Sequence, residues 1–389
     1  MNSSERTIVH LDLDSFFVAV ARQMNPKLRQ RPVLVGGTGE RAVVAACSYE
    51  ARHYGIYSGM SLRLARRLCP DAYIVQGDYE LYVRKSDEVA QIIRMHAPVY
   101  EQASIDEFYL DLTGMDRFWG CRRWALELWQ RVKKETGLPC SFGLSINKTV
   151  AKVATGVAKP DNHLEVERGT ERTFLAPLSI RQLPMVGEKT YQLLRRMGVE
   201  RIGTLQLMPV ELLEKLLGRH GRLLWQKAQG QDDTPVRPAA AQRSLSAEET
   251  LDADTIDTDL LWSRLLALTE GLLYELRREG YCTGCVTVKI RYSNFDTHTM
   301  QRRLPCTCSD HEVLPVVRAL FDRLYQRRLR VRLVGVRFSQ LTAANQQLSL
   351  FAEGLRTQRL YEALDRLRHR FGSRSIGRAA GFTTAPADS

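Results

Sequence analysis

The sequence predicts a multidomain α+β protein, and three observations carry that expectation. Its 389 residues exceed what one core ordinarily organises, so three or four domains are expected. Strand-like alternation and helix-like periodicity interleave along the chain. Residues Gln231–Gln242, with Pro235, Pro238 and three alanines, read as a linker between structured halves. An apolar fraction of 44% is that of a globular protein.

The elements follow in order. Ile8 to Asp14 alternates, which directs Val9, Leu11 and Leu13 to a core and His10, Asp12 and Asp14 to the opposite side. A helix bearing Phe16, Phe17, Val20 and Ala21 comes next, then a strand at Pro32–Val35 ending in Gly36-Gly37. Val43–Arg52 and a helical stretch Leu62–Leu68 complete a small basic αβ lobe. Beyond Ile74 the alternation returns: a strand at Phe108–Leu112, an amphipathic helix Trp124–Thr136 with Leu128 and Val132 one turn apart, and a strand Ser141–Ser145. Asn147 is placed to cap a helix Lys148–Ala158, which Pro160 stops. Residues 175–232 read as all-helical, with glycine-centred turns at Pro184–Gly187 and Gly218–Gly221. Arg243–Leu341 reads as strand, helix, two strands, helix, strand. The tail holds Gln347-Leu348-Ser349-Leu350-Phe351 and one more helix, in which Leu360, Leu364, Leu367 and Phe371 mark an apolar stripe.

A formal charge of +12 and a pI near 9.4 favour a polyanionic partner, nucleic acid ahead of a membrane surface, with a merely solvated basic face as the alternative. No apolar run approaches the ~20 residues of a membrane span, and the polar start Met1–Thr7 shows no secretory signal. The eight cysteines are scattered, mostly in apolar contexts, as reduced buried thiols of a cytosolic protein are. Cys282-x-x-Cys285 with Cys306-x-Cys308 has zinc-like spacing. Cys285 opens the strand-like run Val286, Val288, Ile290 and no loop knuckle is evident, so zinc is not expected there.

Chemistry concentrates on carboxylates. Two-metal phosphoryl transfer needs hard oxygen ligands converging within a few ångströms. Asp12 sits on the polar side of the first strand, and Asp106-Glu107 opens another, so their carboxylates can meet across neighbouring strands. Adjacent strand residues point to opposite faces, so one of Asp106 and Glu107 must lie on a turn or bulge. Solvated acids at strand ends are the plain alternative.

The joint pattern is more specific. His10-Leu11-Asp12-Leu13-Asp14-Ser15-Phe16-Phe17, Ser48-Tyr49-Glu50-Ala51-Arg52, Ser104-Ile105-Asp106-Glu107 and Asn147-Lys148 through Lys159-Pro160 occur in this order. Together, over residues 6–351, they resemble the Y-family lesion-bypass DNA polymerases, in the DNA polymerase IV branch. The resemblance implies a right-hand α+β polymerase: palm at 1–18 and 75–165 with a mixed βαβ sheet, small fingers at 19–74, and a helical thumb with helix-hairpin-helix turns at 166–232. A linker at 233–242, a βαββαβ little finger at 243–342 and a tail at 343–389 would follow.

It further implies site roles. Asp12, Asp106 and Glu107 match the metal-binding carboxylates, with the Leu13 carbonyl as a backbone ligand and two Mg²⁺ per site. Tyr49, Arg52 and Lys159 match residues that grip the triphosphate, and Phe17 the ring that obstructs a 2′-hydroxyl. Asp14 and Glu50 read as support residues. Ala46 replaces a Thr found in many relatives, which removes one hydroxyl contact to the triphosphate. Gly187 and Lys189 match a phosphate-holding helix start, and Lys289 and Arg291 a strand face toward the DNA backbone. Gln347, Leu348, Leu350 and Phe351 resemble the peptide by which bacterial polymerases dock on the sliding clamp.

The implied protein is a low-fidelity translesion DNA polymerase without proofreading. It would be a cytoplasmic monomer whose partners are primer-template DNA, dNTP and the clamp, with no membrane. A non-catalytic, polymerase-like adaptor in a mutagenesis complex is the alternative. Relatives of that kind lose the acids, and all three are present here. A nucleotidyl cyclase would leave the paired helical turns and the clamp-like peptide unexplained.

Overall fold

The computed structural model describes residues 6–115, 120–238, 242–326, 329–343, 352–372 and 375–381. The chain divides into two compact units, residues 1–240 and 241–389.

The first unit runs β1 (Ile8–Leu13), α1 (Phe16–Met24), β2 (Val33–Gly36), β3 (Val44–Cys47), α2 (Tyr49–Arg52), α3 (Leu62–Leu68), β4 (Tyr73–Val75), α4 (Tyr79–His96), β5 (Val99–Gln102), β6 (Glu107–Asp111), α5 (Cys121–Thr136), β7 (Cys140–Ser145), α6 (Lys148–Ala158) and β8 (His163–Glu165). Helices α7 (Glu171–Leu175), α8 (Glu188–Arg196), α9 (Ile202–Gln206), α10 (Val210–Leu217) and α11 (Arg219–Ala228) follow. A five-stranded sheet has the order β5-β6-β1-β7-β8, with β1 central and antiparallel to both neighbours. A separate three-stranded sheet, β3-β2-β4, carries the lobe of residues 33–75.

Val9, Leu11 and Leu13 enter a core shared with α1, α4 and α5, as their alternation requires. The other side of β1 departs from expectation. Ile8 and His10 are buried there too, because α6 lies across that face against β7 and β1. The approach is close enough to demand glycine at position 143: a Cβ would meet the Ala151 carbonyl oxygen at 2.2 Å and the Thr155 nitrogen at 2.6 Å. Asn147 caps α6 by accepting a hydrogen bond from the Val150 N–H at 3.0 Å.

In the helical segment, Gly187 is the extended N-cap of α8 and Gly218 joins α10 to α11. Gly221 is not a turn residue. It lies inside α11, where a Cβ would meet the Leu213 carbonyl oxygen at 2.1 Å, so it sets how closely the two helices pack. The start of the expected linker is tied down: Val236 is buried, and Asp232 accepts hydrogen bonds from Lys227 at 2.8 Å and Thr149 at 2.6 Å.

The second unit is a βαββαβ domain: β9 (Ser244–Thr255), α12 (Thr258–Arg278), β10 (Tyr281–Tyr292), β11 (Thr297–Thr307), α13 (Asp310–Leu324) and β12 (Val331–Ala343). Its sheet order is β11-β10-β12-β9, and both helices pack into one core with Val286, Val288, Ile290 and Tyr292 of β10. Helix α14 (Ala352–Phe371) docks on this unit, but not by the expected apolar stripe. Leu360, Leu367 and Phe371 are exposed, while Tyr361 and Arg368 are buried. The attachment is polar: Arg277 bridges Asp365 at 2.6 Å and Asp310 at 2.8 Å, and the His311 backbone N–H donates to the Tyr361 hydroxyl at 3.1 Å. A stripe count misses this because it weighs only apolar residues.

Candidate active site

β1 and β6 pair so that Asp12 stands opposite Glu107. This register follows from the hydrophobic alternation of both strands, since a slip of one residue would turn Val9 and Leu11 out of the core. Asp106 sits on the bend just before β6, and its carbonyl accepts a hydrogen bond from the Leu13 N–H at 3.0 Å. The strand-end argument therefore holds: Glu107 is in the strand and Asp106 on the turn.

Among the described residues, the metal-competent groups that converge are His10, Asp12 and Glu107, whose ligand atoms lie within 4.8 Å of one another. Asp106 is outside that group. Its half-buried carboxylate accepts from the Ser104 hydroxyl at 2.6 Å. His10 was not expected, because alternation assigned it to an open polar face. The Thr155 hydroxyl is 2.9 Å from the carbonyl oxygens of His10 and Ala151, and 2.8 Å from His10 Nδ1. His10 Nε2 is buried and without a hydrogen-bond partner among the described residues, 3.8 Å from Glu107 Oε2.

Two lysines from α6 and its C-terminal end neutralise these acids. Lys159 forms an ion pair with Asp12 and lies 3.8 Å from Asp14. Lys152 grips Glu107 at 2.5 Å. Burial raises the Asp12 carboxyl to about 6, against the pull of Lys159. Glu107 is held down to about 2 by His10 and then by Lys152, against its burial. Burial also pushes His10 below its ordinary value, and 3.8 Å exceeds a hydrogen bond, so Lys152 is the cation that faces Glu107 at neutral pH.

Asp14 is 2% exposed and accepts from the Asp161 N–H at 2.7 Å, the Ser141 hydroxyl at 2.8 Å and the Tyr49 hydroxyl at 3.4 Å. Those bonds join β1, α2 and β7, which is a framework role. Arg52 stacks over the Tyr49 ring at 4.6 Å and reaches the Ser15 hydroxyl at 3.5 Å. Tyr49, Arg52 and Lys159 thus border Asp12 and Asp14 from one side. Ser48 is fully buried and caps α2, accepting from the Ala51 N–H at 3.3 Å.

Phe16 is buried in the core, and Phe17 is half-buried, stacked on Tyr82 of α4 at 4.1 Å and 12°. Sequence reading missed Tyr82, and nothing but a long-range contact could have found it. Lys189 and Gly187 are exposed at the start of α8. In the second unit Lys289 is paired with Glu248 at 2.7 Å, and Arg291 donates to the Thr297 hydroxyl at 2.9 Å. Gln347, Leu348, Leu350 and Phe351 lie outside the described residues.

The chain is similar to known proteins over most of its length. The family model described as impB/mucB/samB matches residues 11–156, its C-terminal domain model residues 242–350, and a DNA polymerase-iota thumb-domain model residues 181–232. A protein named DNA polymerase IV from Dehalococcoides mccartyi is 36% identical over 377 residues, covering 96% of this chain and 97% of its own. One from Methanoculleus marisnigri is 37% identical over 345 residues, 88% of this chain and 96% of its own. A solved Y-family DNA polymerase chimera of Dbh and Dpo4 superimposes with a TM-score of 0.75 at 24% identity, covering 87% of this chain and 99% of that one.

Proposed function

The chain belongs to the Y-family DNA polymerases, in their DNA polymerase IV branch, and we propose that Asp12, Asp106 and Glu107 are its catalytic carboxylates. It is a template-directed DNA polymerase of translesion synthesis whose substrates are primer-template DNA and dNTP, with the right-hand fold of that family. The observation that carries the site reading is the convergence of Asp12 and Glu107 across β1 and β6, with Asp106 on the adjoining bend.

The family depends on divalent metal, and the residues fit one. The donors are hard carboxylate oxygens, and the two lysines that now sit on Asp12 and Glu107 mark where positive charge is wanted. We assign two Mg²⁺ to Asp12, Asp106, Glu107 and the Leu13 carbonyl. Bound there, they would lower the pKa of the primer 3′-hydroxyl and neutralise the phosphates. Lys159, freed from Asp12, would move to the triphosphate beside Tyr49 and Arg52, whose fork suits phosphate oxygens. Phe17, braced by Tyr82, would obstruct a ribose 2′-hydroxyl.

Residues 1–18 and 75–165 are read as palm, 19–74 as fingers, 166–232 as thumb and 243–342 as little finger. Backbone N–H groups at Gly187, with Lys189, Lys289 and Arg291, would hold DNA phosphates. The protein would work as a cytoplasmic monomer. Among the described residues no helix is long and apolar enough to cross a membrane. Gln347–Phe351 is read as the clamp peptide. Deleting it should leave basal extension intact and abolish stimulation by a bacterial sliding clamp; stimulation equal to wild type removes the assignment.

A further inference from the structure

Cys282, Cys306 and Cys308 of the second unit lie outside the site described above. β10 and β11 pair antiparallel, and Thr283 stands opposite Thr307. Cys282 and Cys308 are the next residues beyond this terminal pair, Cys308 just past the end of β11. Directly opposed residues of antiparallel strands have Cα atoms about 4.5–5.5 Å apart, inside the range a disulfide spans, whereas diagonal neighbours are about 7–8 Å apart. The Cys308 and Cys306 thiols are near enough to Cys282 to raise its pKa, and all three are free. Cys306 is exposed and its sulfur lies 2.8 Å from the Thr342 hydroxyl; Cys282 and Cys308 are half-buried.

The sequence spacing had offered Cys285 as a fourth partner for zinc. Cys285 is buried further along β10, and among the described residues the thiols form no three-ligand group of metal-binding closeness. That geometry suits a two-sulfur bond better than a soft metal.

We propose that Cys282 and Cys308 are a redox modification site, closing to a cross-strand disulfide when a hydroperoxide reaches them and reopening by thiol exchange. The Cys308 thiolate attacks the outer peroxide oxygen, the O–O bond breaks, and the sulfur leaves as a sulfenic acid while the departing oxygen takes a proton. Cys282 sulfur then attacks the Cys308 sulfur, S–S forms, S–O breaks, and hydroxide leaves with the Cys282 proton as water. Two thiols lose two electrons, and the peroxide gains them. Burial and the neighbouring thiols push Cys282 up to about 12, which makes it the second sulfur to react and not the first. Exposed Cys306 stays reduced beside the bridge.

Full-length protein treated with hydrogen peroxide, alkylated and digested without reductant tests this. The expected product is a Cys282–Cys308 linked peptide pair, lighter by two hydrogen atoms and lost on dithiothreitol. Cys306 should be alkylated, and buried Cys47, Cys69, Cys121 and Cys140 should remain thiols. Cys306→Ser should still form the link and Cys308→Ser should not. A Cys282–Cys306 link, over-oxidised Cys306 alone, or no thiol loss would overturn the proposal. So would equal crosslinking after Cys308→Ser.

Discussion

Asp12 is pulled two ways. Burial raises its carboxyl to about 6, and Lys159 only partly opposes that rise. A group whose folded pKa lies above its ordinary 3.8 favours the folded state below about pH 4 and loses that contribution as pH rises through 6. The loss amounts to roughly 3 kcal/mol by pH 8 for a shift of this size. In EDTA, Asp12→Asn should therefore raise the thermal midpoint relative to wild type at pH 8 and much less at pH 4.5. A variant difference independent of pH would contradict it. Glu107 works in the opposite sense: its contribution is present above about 4.5 and lost toward 2. Phe17 offers a second test. Removing the ring in Phe17→Ala should narrow the preference for dNTP over ribonucleotide by about 100-fold, the loss of a clash worth ~3 kcal/mol; unchanged sugar discrimination would remove Phe17 from that role. That Asp12 and Glu107 can meet across neighbouring strands was legible in the sequence, because both strands alternate. His10 and Tyr82 were not, since one is hidden by α6 and the other meets Phe17 only after α4 folds back.

Helix α6 is the element on which the site depends, because it carries Lys152, leads directly into Lys159 and packs on β1 and β7. Its limits were readable from Asn147 and Pro160, and the structure gives the same span, Lys148–Ala158. Its closeness to the sheet was not readable, because that rests on one glycine of another element. Gly143→Ala should push α6 off the sheet, cost about 2 kcal/mol or more, and lower extension as Lys152 and Lys159 move. Gly156→Ala, inside α6 with open space around it, should instead stabilise by about 0.5–1 kcal/mol and leave extension intact. Denaturant midpoints of the two variants check the pair; equal effects would mean that the close approach does not hold the helix. Helix α14 teaches a related lesson. Its apolar spacing suggested which face packs, yet Asp365, Tyr361 and Arg368 make the attachment, since ion pairs to Arg277 outweigh a sparse stripe of leucines.

Over the whole molecule, the charge of +12 suits a nucleic-acid partner. Lys289 and Arg291, proposed to face DNA phosphates, are held in place by Glu248 and Thr297, and Glu248 partly neutralises Lys289. The βαββαβ order was legible because each strand alternates and each helix is flanked by turn residues. Gln347–Phe351, outside the described residues, is proposed as a clamp peptide only from its motif and its place after that unit. Everything else about this enzyme turns on whether the carboxylates at the β1–β6 junction carry the chemistry. Single-turnover primer extension in Mg²⁺ by Asp106→Ala, with DNA affinity measured alongside, tests this most directly. Wild-type DNA binding is expected, with a rate lower by at least about 10³-fold, the loss of ~4 kcal/mol of transition-state stabilisation. Extension at the wild-type rate, or a wild type that binds DNA without extending it, would contradict it.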